Sequence, residues 1–327
     1  MVGRHRTGTR VAAIAVTLLA LGAGGGCSGP SGTITDRRGP TATTAPNPET
    51  CRGGPVLARK DVTYRDVDGV DPNLLSLDAY VPRRDAGCGP APIVIYVHGG
   101  GFVRGDKANN VVDKVGLFTD AGWTFVSINY RLSPTPASAD RADAIRYPIH
   151  EQDVAAAVGW VKDHAGELGG DPTRIRLVGH SSGAFLVSLL STDLSFLAEE
   201  GVTTENLRCT VSLDTEYDVT RQVAQGGSQE QLYRNAFGDD PAVWAQGSPT
   251  EHTAAGASRP RFLVVTRGAA RRVAQAESFA DALEAGGTDA TFLDVSPMTH
   301  EETNAAVGAA GDTTVTPAVM DFLRSCG

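Results

Sequence analysis

Positive charge is scarce in this chain of 327 residues: 29 Lys and Arg stand against 38 Asp and Glu, a formal net charge of −9. The first 26 residues hold Arg4, Arg6 and Arg10 with no acid, so removing those three charges leaves −12 for residues 27–327. A surface that acidic repels phosphate backbones, which excludes nucleic acid as the main partner. No internal repeat or Gly-X-Y period occurs, so solenoid and collagen-like architectures are excluded. No CxxC or Cys/His cluster occurs, which speaks against a zinc site. What is present is a globular mixture, 41% hydrophobic and 20% charged, with room for one large α/β domain or two small ones.

The N-terminus reads as an address. Three arginines in residues 1–10 precede the uncharged apolar run Val11 to Ala23, and Gly24-Gly25-Gly26 leads into Cys27. Basic, apolar and small-residue regions in that order describe an export signal over 1–26. The run falls short of the roughly 20 residues a membrane span needs. Small residues before a cysteine resemble a bacterial lipobox, in which Cys27 is lipidated and becomes the mature N-terminus. Gly24 departs from that pattern, which usually has an aliphatic residue there; plain secretion with cleavage nearby is the alternative. Of residues 28–50, 17 of 23 are Ser, Thr, Gly, Pro or Ala, a composition that buries no core. Residues 27–50 are therefore expected to be a disordered tether reaching roughly 25–30 Å from an outer membrane face. The folded domain is expected over 51–327.

Along that domain, 57–67 and 74–81 alternate apolar and polar around a turn and predict an antiparallel hairpin. Short apolar runs predict strands at Ile93 to Val97, Trp123 to Tyr130, Ile175 to Val178, Val211 to Leu213, Phe262 to Thr266 and Thr291 to Val295. Helices are expected at 108–121, Ile149 to Leu168, Gly183 to Leu194, 273–285 and 316–325. The alternation predicts an α/β fold: a mostly parallel sheet with helices on both faces, opened by the antiparallel hairpin. Export places Cys51, Cys88, Cys209 and Cys326 in an oxidising compartment, where four cysteines allow three pairings. The hairpin brings the start of its first strand beside the end of its second, which pairs Cys51 with Cys88. Cys209 begins a parallel strand at the edge to which the last helix returns, which pairs it with Cys326.

Two glycine motifs carry chemistry. Gly179-His180-Ser181-Ser182-Gly183 matches G-x-S-x-G and sits between a predicted strand and a predicted helix, the setting of a nucleophile elbow at Ser181. His98-Gly99-Gly100-Gly101-Phe102 follows the strand 93–97. Its glycines leave backbone N–H groups free to hold a negative oxygen, with Gly100 and Gly101 as donors and Ser182 as the third. His98 itself reads as structural. With Asn129-Tyr130-Arg131-Leu132, the run Asp153 to Trp160 and Gly170-Asp171-Pro172, these motifs make residues 56–325 resemble the α/β-hydrolase superfamily. The resemblance is to its esterase/lipase branch with His-Gly-Gly-Gly, including hormone-sensitive-lipase-like and feruloyl-esterase-like proteins.

That resemblance implies the α/β-hydrolase fold and a Ser-His-acid triad. Of seven histidines, His300 alone follows the last strand, where the superfamily places its base, on an expected loop. His150 and His164 are expected on or beside a surface helix. The acid departs from the pattern: its usual stretch reads Gly268-Ala269-Ala270-Arg271-Arg272, with Arg271 where the aspartate belongs. Asp214, directly after the strand 211–213, is the expected substitute; Asp218, Glu216 and Glu277 are alternatives. A guanidinium near His300 would disfavour the imidazolium unless it pairs elsewhere. Residues 214–260, with their own aromatics, are expected to form a cap over the substrate pocket. The implied activity is hydrolysis of a small carboxylic ester, with no metal or cofactor and a membrane contact only through Cys27. An amidase or peptidase on the same triad, or a binding protein with an eroded triad, are the alternatives.

Overall fold

The alternating segments at the start of the domain pair as a hairpin, β1 (Gly53–Thr63) against β2 (Ser76–Arg84), with Leu57 opposite Val81 and Val62 opposite Leu77. The computed structural model describes residues 51–135 and 144–327. The export signal, Cys27 and the tether lie outside the described residues.

Beyond the hairpin come β3 (Ala91–Val97), β4 (Thr124–Ile128), β5 (Gly170–His180), β6 (Leu207–Leu213), β7 (Arg261–Thr266) and β8 (Ala290–Asp294). They form one sheet in the order β1-β2-β4-β3-β5-β6-β7-β8. β1 and β2 are antiparallel, β2 meets β4 antiparallel, and every later pair is parallel. The continuous apolar runs follow from burial on both faces. In β3, Ile93, Ile95 and Val97 enter one core while Val94 and Tyr96 enter the other.

Helices fill both faces. α1 (Val112–Asp120) buries Phe118, and α2 (Ile149–Asp163) buries Val154, Val158 and Val161. α3 (Ser182–Thr192) is buried along its whole length, with Ser188, Ser191 and Thr192 satisfied by hydrogen bonds, and α4 (Ser195–Glu199) follows it. After β6 come α5 (Val219–Ala224), α6 (Gly227–Phe237) and α7 (Pro241–Gln246). α8 (Ala270–Ala285), α9 (His300–Ala305) and α10 (Val315–Ser325) complete the set. α10 buries Val315, Val319, Met320, Phe322 and Leu323, one stripe of an amphipathic helix.

Several expectations shift. α2 stops at Asp163, where His164 leaves the helical conformation, and a separate 3-10 turn takes Ala165–Leu168 and ends at Gly169, which is left-handed. α2 is no surface helix: His150 is buried and bonds to Ser133 Oγ at 3.0 Å. His300 lies not on a loop but in the first position of α9. The signal was Thr299-x-x-Glu302, whose side chains bond reciprocally to each other's backbone N–H as a capping box. The segment 214–260 divides its large side chains: Tyr233, Phe237 and Trp244 join the core, Tyr217 stacks on Phe279 at 4.0 Å, and Leu232, with Tyr233, reaches the cavity described below.

Both disulfides have the pairing the element order predicts, Cys51–Cys88 and Cys209–Cys326, with Cα atoms 6.0 and 6.3 Å apart. The C-terminal ends of β3, β5, β6 and β8 open on one edge of the sheet, where crevices form in such folds.

Candidate active site

Ser181 follows β5 directly and starts α3, with φ 55° and ψ −123°, a backbone conformation strained for a side-chain-bearing residue. Two contacts hold it there: its N–H donates to the Leu213 carbonyl and its own carbonyl accepts from Phe185, both at 3.0 Å. The elbow packs so closely on β3 that a Cβ on Gly183 would lie 2.1 Å from the Val97 carbonyl oxygen. Ser182, as the first residue of α3, has an N–H without a partner inside the helix.

The glycine loop after β3 is folded back by Gly100, whose φ is +126° and whose carbonyl accepts from Val103 and Arg104 at 3.3 and 3.2 Å. The motif residues around it are its scaffold. Tyr130 stacks on His98 with centroids 4.6 Å apart and donates to the His98 carbonyl at 3.1 Å. Asn129 accepts from the Lys107 N–H at 2.6 Å and donates to Asp106 at 3.1 Å. Arg131 grips Asp153 through Nε and Nη2 at 2.7 and 2.6 Å, pinning the strand end to α2. Burial holds His98 below the usual imidazole range.

Asp214 comes off the end of β6 with φ 52°, its N–H donating to Val265 at 2.8 Å and its side chain fully buried. His300 Nδ1–H donates to Asp214 Oδ2 at 2.6 Å. The same carboxylate accepts Arg267 Nε on Oδ2 at 2.7 Å, and Arg272 Nε and Nη2 on Oδ1 at 3.1 and 2.8 Å. Arg272 Nη1 bonds to Glu216. Burial pushes the Asp214 carboxyl up, but the His300 hydrogen bond, the Arg272 charge and the arginine hydrogen bonds outweigh it and hold the group at about 2. Two acids and two arginines thus form a neutral quartet behind the imidazole.

The other acid candidates are engaged elsewhere. Asp218 caps α5 by accepting the Arg221 N–H at 2.9 Å, and Glu277 is exposed on α8. Arg271 points away and donates to Gln225 at 2.8 Å, so the guanidinium at the superfamily's usual acid position does not face the imidazole.

The family model BD-FAE matches residues 77–231, from β2 into α6, taking in Gly100, Ser181 and Asp214 and stopping short of His300. Phenmedipham hydrolase of Pseudarthrobacter oxydans is 33% identical over 149 residues, 45% of this chain and 28% of that protein. Esterase LipC of Mycobacterium tuberculosis is 30% identical over 240 residues, 69% of this chain and 55% of that protein. The chain therefore spans about half or less of the length of these curated relatives. The crystal structure of esterase B from Lactobacillus rhamnosis superposes with a TM-score of 0.66 at 20% identity, covering 83% of this chain and 84% of that one. The chain has the α/β-hydrolase fold and is similar to the esterase/lipase branch of that superfamily.

Sequence reasoning passed over several residues of this α/β-hydrolase's site. His180 donates from Nε2 to the His300 carbonyl at 3.0 Å, and the two rings lie 4.5 Å apart. Burial, and secondarily the His300 ring, push His180 down to about 3, so it stays neutral and adds no charge beside the imidazole. At the far end of α9, buried Lys114 donates to the Asn304 carbonyl at 2.8 Å, and Tyr96 donates to Asn304 Oδ1 at 2.9 Å. Burial lowers Lys114 to about 8. The capping box was legible as Thr-x-x-Glu; Lys114, Tyr96 and His180 had no sequence signal, because each acts across a distant pairing.

These groups surround a cavity of about 680 Å³ that takes in Gly100, Gly101, Ser181, Ser182, Asp214 and His300. All six residues that sequence reasoning assigned to the chemistry meet on its wall.

Proposed function

We propose that this protein is an exported serine hydrolase that cleaves small carboxylic esters through an acyl-enzyme intermediate. The observation that carries the reading is the 2.6 Å contact between His300 Nδ1 and Asp214, in one cavity with a strained Ser181. With Nδ1–H committed to the carboxylate, Nε2 of the neutral imidazole is left as the basic nitrogen. Ser181 Oγ attacks the acyl carbon, and His300 takes its proton and then gives it to the departing alcohol. The N–H groups of Gly100, Gly101 and Ser182 hold the negative oxygen of the tetrahedral intermediate. Water, activated by the same imidazole, releases the acyl group and restores the serine. Asp214 keeps the tautomer and stabilises the imidazolium.

The neutral quartet is compatible with that task. Arg272 is matched by Glu216 as well as by Asp214, so the two guanidinium charges are balanced before the imidazolium forms. An esterase reading also agrees with the names of the relatives above. The export signal, lipidation of Cys27 and anchoring at the outer membrane face belong to the same proposal. The two disulfides agree with an oxidising compartment.

The test is hydrolysis of a 4-nitrophenyl ester series, acetate to laurate, beside Ser181→Ala. Turnover lost by about 10³-fold or more in the variant supports the reading. Equal inertness of both proteins across the series would set it aside. For export, mass spectrometry of the membrane fraction should find a diacylated N-terminal Cys27; an unmodified, freely secreted chain refutes the anchor.

A further inference from the structure

The cavity wall holds three arginines, and two are committed. Arg267 and Arg272 spend their guanidinium groups on Asp214 and Glu216. Arg104 makes no side-chain hydrogen bond, ion pair or ring contact among the described residues, yet it lines the same cavity and is exposed. It is also held against the oxyanion glycines. The turn 100–104 is closed by the Val103 and Arg104 N–H groups on the Gly100 carbonyl. A Cβ on Gly100 would stand 1.9 Å from the Arg104 carbonyl oxygen and 3.1 Å from its Cγ. The root of the side chain is thus fixed beside the groups that would hold the ester's carbonyl oxygen, and the guanidinium is left without a counter-ion.

The remaining lining is mixed. Asn109, Asn110 and Gln229 contribute uncharged polar groups, beside the apolar Phe102, Val103, Leu232 and Tyr233. Glu301 is the one carboxylate on the wall that has no partner among the described residues; it sits beside His300. The wall therefore carries one unmatched positive charge on the oxyanion-loop side and one unmatched negative charge on the histidine side. An anionic substituent is directed to the first and turned away from the second.

Resting on the esterase reading above, we propose that Arg104 is a specificity-determining residue, and that the preferred substrates are esters carrying a carboxylate a few bonds from the scissile carbonyl, such as hemiesters of short dicarboxylic acids. Arg104 supplies a planar donor fork suited to two-point binding of that carboxylate.

The experiment compares monoethyl glutarate with ethyl pentanoate, which differ by a carboxylate in place of a methyl group. Wild type should show the higher kcat/KM on the hemiester. Arg104→Gln should lower the hemiester-to-neutral ratio of kcat/KM about tenfold, the scale of one charge-assisted contact, and mainly through KM. High salt should erode the wild-type ratio. An equal ratio in wild type and Arg104→Gln overturns the proposal. A second arm does not depend on turnover: calorimetric titration of glutarate into Ser181→Ala and into Ser181→Ala/Arg104→Gln. About tenfold weaker binding in the double variant supports the carboxylate site; unchanged binding, or none in either protein, overturns it. Inertness of wild type toward both esters with Arg104-dependent glutarate binding would refute the esterase reading alone.

Discussion

The two halves of the site are held in place by different means. On the nucleophile side, Ser181, Gly100 and Gly101 are positioned by backbone: a strained turn, a close strand–helix approach and main-chain hydrogen bonds. On the acid–base side, Asp214 and His300 are positioned by side-chain charge, with Arg267, Arg272 and Glu216 around the carboxylate and Lys114 at the end of α9. Close backbone approaches leave no room for a Cβ at Gly100 or Gly183. The charges around Asp214 are shared among several side chains, so Arg267, Arg272 and Glu216 are each replaceable at a smaller cost than Asp214 itself.

That contrast can be broken experimentally. The largest effect is expected from Asp214→Asn, which keeps the shape but gives His300 Nδ1 no carboxylate; kcat should fall by about 10³–10⁴-fold with little change in KM. A loss below tenfold would move the acid elsewhere. Gly100→Ala comes next. Its Cβ would meet the Arg104 carbonyl at 1.9 Å, so the turn must open and the oxyanion donors shift. Ester turnover should fall about 10²–10³-fold while circular dichroism stays native; full activity would show that the loop is not held by backbone sterics.

Arg272→Met probes the charge side and should cost only about tenfold. Removing a cation near the imidazole, and freeing the Glu216 charge, both favour imidazolium, so the acid limb of the pH–rate profile should move to higher pH. Movement to lower pH would contradict the quartet. Glu216→Gln removes a negative charge and should move the limb the other way.

The smallest effect lies outside both halves. Glu151 on α2 is fully buried, and neither carboxylate oxygen has a partner among the described residues. Burial, with the Asp153 charge adding to it, pushes the group up to about 8. A carboxyl whose folded value lies above its unfolded value contributes stability that is fully present below about pH 4.5 and lost as pH rises through about 8. Glu151→Gln removes that loss, so its melting temperature relative to wild type should climb by about 2 °C or more between pH 5 and pH 9. A pH-independent difference would refute the titration.

The same contrast explains what was legible. Gly179 to Gly183 and His98 to Phe102 are contiguous because a backbone turn is made by neighbours, so each shows as a short string. The hairpin and the two disulfide pairings follow from element order alone. Once Arg271 was found at the superfamily's usual position, Asp214 was favoured by its place directly after the strand 211–213. Asp218, Glu216 and Glu277 were left open, because the string does not show which carboxylate faces His300. Helix α9 was passed over because a six-residue helix gives too little periodicity, although its capping box was in view.

By itself the sequence determined the strand–helix alternation, the turn at Ser181, the glycine loop after β3 and the cysteine pairing, since these depend on local conformation and on the order of elements. Tertiary structure alone decided which acid turns toward His300, that Arg267 and Arg272 grip that acid, and that Arg104 is left unmatched. The Asp214 contacts join residues 53, 58 and 86 positions apart. A charge at such separation has no periodicity to betray its partner; only the parallel sheet, which gathers the strand ends on one edge, brings them into hydrogen-bond range.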